Sequence, residues 1–82
     1  MLKNKLNSAP SKKEVLDLIN LIGSGKFKKA EKIALTLLSQ YPNSFTVLNL
    51  LGLSFANQNQ IIKGIDCYKS AIQIKPNFAE AH

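Results

Sequence analysis

Arginine is absent from this 82-residue sequence, although the chain is strongly basic. All 11 of its cationic side chains are lysines, and 5 acidic residues leave a net charge of +6. Arginine supplies the planar, bidentate guanidinium that proteins use to read base edges and to grip phosphates. Its absence disfavours a nucleic-acid-binding function, and neither nucleic acid nor a membrane is an expected partner.

Four of the lysines nevertheless lie close together, at Lys26, Lys28, Lys29 and Lys32. One interpretation is a contact surface for an acidic protein, nucleic acid or an anionic membrane. The other is a solvated outer face that keeps a small protein soluble. We favour the second, because no aromatic series accompanies the cluster and because cations at the start of a helix do not complement its dipole.

Cysteine and histidine are each represented once, by Cys67 and His82. A single cysteine excludes an internal disulfide and a cysteine-based metal site. We interpret Cys67 as a partly buried thiol, since it has no histidine in its own helix, and we expect no catalytic role for His82 at the end of the chain. Glu31 and Asp66 are isolated acids, expected to be solvated or paired locally with lysines. The stretch GSGK at residues 23–26 lacks the spacing of a phosphate-binding loop. We therefore expect a non-catalytic chain with no metal and no cofactor.

Long apolar runs are also missing. The most apolar stretch, residues 48–56, is short and is interrupted by Asn49 and Ser54. The basic amino terminus has no apolar run behind it, so it does not have the form of a secretory signal. These features predict a single small cytoplasmic domain with no transmembrane segment.

An internal repeat organises what is present. Pro42-Asn43 recurs as Pro76-Asn77, and we call the interval between these two turns the repeat period. Between them, residues 43–57 and 61–74 show helical periodicity, with apolar stripes at Leu48, Leu51 and Phe55 and at Ile61, Ile65, Tyr68 and Ile72. The polar residues 57–60 suit a tight turn between antiparallel helices. Gly52 lies inside its stripe and indicates the close approach of another helix.

This unit resembles the tetratricopeptide repeat, a helix-turn-helix motif whose length of about 34 residues equals the repeat period. The family pattern requires bulky, small, aromatic and proline residues at set intervals, and here they are Leu48, Leu51, Gly52, Phe55, Gly64, Tyr68, Ala71 and Pro76. Leu48 stands where tryptophan is usual, and Gly64 where alanine is usual. In the preceding unit the corresponding signature residues are Phe27, Ala30 and Pro42.

The first helix of that preceding unit fits the period less well. A strict offset of one period places Glu14 and Asp17 at apolar positions. A shift of one residue instead gives the stripe Val15, Leu18, Ile19 and Ile22, with Ser11 and Glu14 as a capping box. The turn at residues 23–25 is then expected to be one residue shorter than the next one. The second helix is expected to pack through Phe27, Ala30, Ala34, Leu37, Leu38 and Tyr41.

The resemblance implies an all-α fold, with antiparallel helix-turn-helix units stacked as a short right-handed α-solenoid. Residues 1–10 would be a basic lead-in, 11–44 the first repeat, 45–78 the second, and 79–82 the start of a third. Such stacks present a concave groove for a partner peptide or helix. By the same resemblance, the groove candidates are Lys13, Leu16, Asn20, Thr46, Asn49, Leu53 and Ala56. Leu16 stands where the subclass that clamps a terminal carboxylate has lysine, so that ligand is not expected.

The end of the chain leaves two alternatives. Asn77 and Glu80 can cap a new helix, while Tyr68, Ala71 and Ile72 present an apolar face that needs a cover. Further repeats or a downstream domain would supply it, or a homo-oligomer if the chain ends at His82. The expected function is a protein-interaction scaffold. The alternative is the substrate-recruiting segment of a longer bacterial glycosyl-, sulfo- or methyltransferase, to whose amino-terminal repeats the chain is also similar.

Overall fold

The computed structural model describes residues 9–74, and in this part of the chain the fold is all-α, with no strand. The helices are α1 (Lys12–Gly23), α2 (Phe27–Gln40), α3 (Phe45–Asn57) and α4 (Ile61–Ile74). The predictions for the amino-terminal lead-in up to residue 8, for Pro76, for the cap at Asn77 and Glu80, and for His82 lie outside the described residues.

A capping box begins α1, as the sequence predicted. The Ser11 hydroxyl accepts a hydrogen bond from the Glu14 backbone N–H at 3.0 Å. In return, the Ser11 backbone N–H donates to the Glu14 carboxylate at 2.8 Å. Two of the N–H groups that a helix start leaves without partners are thereby satisfied, which is worth about 1 kcal/mol. Helix α3 begins in a similar way, because the Ser44 hydroxyl accepts from the Val47 N–H at 3.2 Å.

The two turns within the helix pairs have the same length and the same geometry. Residues 24–26 join α1 to α2, and residues 58–60 join α3 to α4. Gly25 and Asn59 both adopt the left-handed conformation, with φ of 80° and 69°. The expected shortening of the first turn is therefore wrong. Helix α1 has 12 residues and α3 has 13. Since the turns that follow them are equal in length, α1 is one residue shorter than α3 at its start.

One hydrophobic core joins all four helices, with α3 at its centre in contact with α1, α2 and α4. Its buried members are Leu18, Ala30, Ala34, Leu37, Tyr41, Val47, Leu51, Phe55 and Cys67. The predicted packing face of α2 is confirmed, since Phe27 and Leu38 are half-buried beside the buried positions. Among the other signature residues, Leu48, Gly52, Gly64 and Ala71 are buried, Tyr68 is half-buried, and Pro42 is exposed.

Helix α1 packs through a slightly different face from the one expected. Leu18 is fully buried and Ile22 packs against the core, but Ile19 remains 44% exposed. Leu21 packs against the core instead. The turn after α1 explains this difference. Since it has the same hydrogen bonds as the turn after α3, Leu21 occupies the position in α1 that the buried Phe55 occupies in α3.

Helix α4 also differs from expectation. The isoleucines of its predicted stripe remain largely exposed, and the small residues Gly64, Cys67 and Ala71 face the core. The reason is the short distance between α3 and α4. A Cβ atom on Gly64 would lie 2.9 Å from the Gly52 carbonyl oxygen, closer than real Cβ contacts allow. Gly52 therefore marks a close helix approach, as predicted, and a side chain at either of these two glycines would clash with the facing helix.

Candidate binding surface

The candidate groove residues lie on α1 and α3, two helices that contact each other. On α3, the positions of Thr46, Asn49, Leu53 and Ala56 are three or four residues apart and share one face of the helix. Thr46 and Leu53 are exposed, while Asn49 and Ala56 are half-buried. On α1, Lys13, Leu16 and Asn20 are all exposed and lie on one face by the same spacing. Each side chain is thus at least partly accessible to a ligand.

The polar groups on this surface are available for new hydrogen bonds. The Asn49 and Asn20 amides and the Thr46 hydroxyl have no side-chain partner within the described residues. An amide can both donate to and accept from a peptide backbone. Because Asn49 is half-buried, a hydrogen bond to a ligand there would be partly shielded from water.

The surface carries little charge. Helix α3 has no ionisable side chain along its whole length. On α1, the Lys13 ammonium is 3.1 Å from the Asp17 carboxylate, an exposed pair one helical turn apart. Leu16 and Leu53 add apolar contact area at 50% and 39% exposure. The arrangement therefore suits a ligand that offers apolar side chains and backbone groups rather than a cluster of charges.

The predicted α1 candidates are one residue out of step with those of α3, because Asn20 lies one period before Ser54, which is fully buried. The accessible residue of α1 that was not predicted is Ile19. Ile19 lies one period before Leu53, and both are exposed, at 44% and 39%. By the period of the two turns, Ile19 is the counterpart of Leu53. The signal was present in the sequence, because Gly25 and Asn59 are both residues that favour left-handed turns and are separated by the same period.

The four clustered lysines lie on the outside of the start of α2. Lys26, Lys28, Lys29 and Lys32 are exposed, and none forms an ion pair within the described residues. Of the two alternatives expected for Glu31, an ion pair with a lysine is not observed among the described residues, and the side chain is half-buried. Its carboxylate instead accepts a hydrogen bond from the Gln58 amide at 3.0 Å, which links α2 to the end of α3.

The Cys67 thiol is buried in the core, in agreement with its interpretation as a packing residue. Burial raises its pKa above the ordinary value, and the neighbouring Asp66 carboxylate raises the pKa further. The thiol is therefore protonated at neutral pH and is a poor nucleophile. Over residues 9–74, no three His, Cys, Asp or Glu residues are grouped closely enough to hold a metal ion.

Among the described helices, none combines the length and the apolar character needed to cross a bilayer. Comparison of the chain with protein-family models, with curated proteins and with solved structures found no match.

Proposed function

We propose that this chain is a non-catalytic scaffold of two tetratricopeptide-like repeats, stacked as a short right-handed α-solenoid. In this proposal, the shared face of α1 and α3 binds an extended peptide or a helix of a partner protein. Neighbouring repeats in such a stack bury one another's apolar faces, and the first helix of each unit lines the concave side.

The observation that carries the proposal is the repetition of one backbone turn at a spacing equal to the repeat period. In the first helix pair, the Gly25 N–H donates to the Ile22 carbonyl at 3.0 Å, and the Lys26 N–H donates to the Leu21 carbonyl at 2.9 Å. Gly25 has a φ of 80°, in the left-handed region.

Both bonds recur in the second helix pair. The Asn59 N–H donates to the Ala56 carbonyl at 3.0 Å, and the Gln60 N–H donates to the Phe55 carbonyl at 2.9 Å. The two turns thus agree in conformation and in hydrogen bonding, although they share no residue type at the left-handed position. This agreement supports two structurally equivalent units, and the sequence signature of the family supports the same conclusion.

The uncharged, partly apolar face of α3 supports the choice of ligand. A peptide bound there would bury Leu53 and receive backbone hydrogen bonds from Asn49, in the way that grooves commonly hold extended segments. Since α3 contains no cation, a ligand defined by negative charge is disfavoured.

Peptide display against the intact chain tests the proposal. Peptides selected from a random library should bind Asn49→Ala about tenfold more weakly, because the substitution removes one shielded hydrogen bond. Leu53→Asp should abolish binding by placing a charge in the apolar contact. The matched control is Leu35→Asp, since Leu35 is 46% exposed on α2 and does not belong to this surface.

Circular dichroism should show that all three variants remain helical. If the selected peptides bind Asn49→Ala and Leu53→Asp as tightly as the unchanged chain, the groove is not the binding surface. If Leu35→Asp weakens binding equally, the site lies on the outer face of α2 and the proposal is wrong.

A further inference from the structure

Both helix pairs turn back at the same end of the molecule, and lysines gather there. The Glu31 carboxylate of α2 accepts a hydrogen bond from the Gln58 amide at 3.0 Å, which places the start of α2 beside the turn that leads into α4. After that turn, the Lys63 ammonium of α4 lies 5.5 Å from the centre of the Phe55 ring of α3. We call this region the basic end, and its exposed lysines are Lys26, Lys28, Lys29, Lys32 and Lys63.

The positive charge of the basic end is not neutralised within the described residues. The only ion pair among them joins Lys13 to Asp17 on α1. Glu31 is engaged with Gln58, and neither α2 nor α4 has an acidic residue in its first turn. Both helices also direct the positive ends of their dipoles towards this region. The lysine charges and the two dipoles therefore add, and together they attract an anionic surface.

Two isoleucines lie next to these lysines. Ile61 and Ile62, in the first turn of α4, are exposed by 50% and 73%, and Lys63 follows them directly. A solvated outer face, the interpretation favoured from the sequence, explains the lysines but not the apolar side chains beside them. Cations next to protruding aliphatic side chains are typical of surfaces that bind lipid bilayers. The exposure of Ile62 is thus the structural observation that favours a membrane over a solvated face.

The type of cation distinguishes between the possible anionic partners. Arginine is enriched and lysine depleted where proteins meet other proteins. A single-stranded nucleic acid would need exposed aromatic side chains on which its bases could stack, and none of the exposed residues at the basic end is aromatic. Lysine ammonium groups act as point charges, so they suit a bilayer, whose headgroups have no fixed arrangement.

We propose that the basic end binds the surface of a lipid bilayer that carries anionic headgroups. The lysines contact the headgroups, and the Ile62 side chain enters the boundary between the headgroups and the acyl chains. The groove takes no part, because α3 contains no cation and α1 begins at the opposite end of the molecule. The membrane contact therefore adds to the proposed scaffold function and does not depend on it.

The chemistry of the basic end sets the expected strength of binding. Each lysine near an anionic membrane surface strengthens binding about fivefold, and burial of an isoleucine side chain strengthens it about tenfold. Salt screens the lysine contacts, because exposed charges interact over only about 10 Å at about 0.1 M salt. We therefore expect reversible binding that is measurable at low salt and weakens as salt is added.

The first test is co-sedimentation of the intact chain with vesicles of phosphatidylcholine alone or mixed with phosphatidylserine. The chain should bind the mixed vesicles and not the neutral ones, and less of it should bind as salt rises. Replacing Lys28 and Lys32 together by glutamine should weaken binding about 25-fold. The matched control replaces Lys12 and Lys69, which are also exposed but lie away from the basic end, and should have little effect.

The second test examines the apolar contact on α4. Ile62→Gln should weaken binding to the mixed vesicles about tenfold. Ile72→Gln should leave it unchanged, because Ile72 is exposed by 62%, against 73% for Ile62, but lies towards the other end of the helix. Circular dichroism should show the same helical content in every variant, since all the replaced side chains are exposed.

Three results from these tests would overturn the proposal. The first is a chain that does not bind the mixed vesicles at low salt. The second is an equal loss from the two lysine pairs, since binding would then follow net charge and not the basic end. The third is an equal effect of Ile62→Gln and Ile72→Gln.

A further measurement separates a bilayer from other anionic partners. Polyglutamate and single-stranded DNA are offered to the intact chain in place of vesicles, and both should bind more weakly than the mixed vesicles. If either binds more tightly, loses affinity when Lys28 and Lys32 are replaced, and is indifferent to Ile62→Gln, the basic end binds an acidic protein or nucleic acid. The membrane proposal would then be wrong.

Discussion

At the scale of single residues, two glycines determine how α3 and α4 meet. A Cβ atom at Gly52 would lie 2.8 Å from the Tyr68 ring and 3.1 Å from the Gly64 carbonyl oxygen. A Cβ atom at Gly64 would lie still closer to backbone, at 2.9 Å from the Gly52 carbonyl oxygen. Backbone atoms cannot move aside as a flexible side chain can. The intrinsic cost of glycine in a helix, up to about 1 kcal/mol, is therefore accepted at both positions.

Gly64→Ala is expected to destabilise the chain by about 1 to 3 kcal/mol, because overpacking outweighs the gain in helix propensity. The measurement is urea unfolding followed by circular dichroism. Gly23→Ala is the matched control, since no atom lies within 4 Å of its added Cβ. That variant should be neutral or more stable by about 0.5 kcal/mol. Equal effects of the two substitutions would contradict the close approach.

The Cys67 thiol gives a second prediction at this scale. Its pKa is raised above 9.0 in the folded chain, so the unfolded chain loses this proton first as pH rises. The contribution of Cys67 to stability should be complete below about pH 9 and should decline as pH rises through its folded pKa. We expect the difference in unfolding free energy between the unchanged chain and Cys67→Ala to narrow over that range. A difference that is constant with pH would show that the pKa of the thiol is the same in the folded and unfolded chains.

At the scale of elements, the two turns have the same conformation with different residues. Glycine reaches the left-handed region without steric cost, and asparagine is one of the few other residues that tolerates it. Gly25 and Asn59 are the described residues with positive φ, at 80° and 69°. The turn therefore selects for conformation rather than for one residue type.

Gly25→Asn is accordingly expected to cost well under about 1 kcal/mol, because the second turn already contains asparagine at the equivalent position. Gly25→Val should cost about 1 to 2 kcal/mol, because a β-branched residue is strained at positive φ. Thermal unfolding of both variants checks this prediction. Similar losses for asparagine and valine would mean that crowding, and not backbone conformation, limits this position.

At the scale of the whole molecule, α3 is the helix that joins the others. It contacts α1, α2 and α4, and its buried side chains share one core with theirs. The proposed groove belongs to α1 and α3. Leu53→Asp should therefore abolish peptide binding while circular dichroism shows an unchanged helical fold, because Leu53 is exposed by 39% and is not a member of that core.

The sequence by itself determined the helices, the capping box of α1 and the repeat period, because these depend on local chemistry. Ser11 with Glu14 specifies a capping box, and small or polar residues specify the turns, whatever the rest of the chain does. The same local reasoning identified Gly52 as a close contact. It also placed the groove candidates on helix faces that the structure leaves at least partly accessible.

Only the tertiary structure decided which face of α1 and α4 turns inward. The stripe predicted for α1 contained Ile19 and not Leu21, whereas the turn at Gly25 places Leu21 against the core. In α4, hydrophobicity favoured the isoleucines, but the short distance between the two backbones requires glycine at position 64 and turns Gly64, Cys67 and Ala71 towards the core. Hydrophobicity is a property of each residue, whereas the space available to a side chain depends on the helix packed against it.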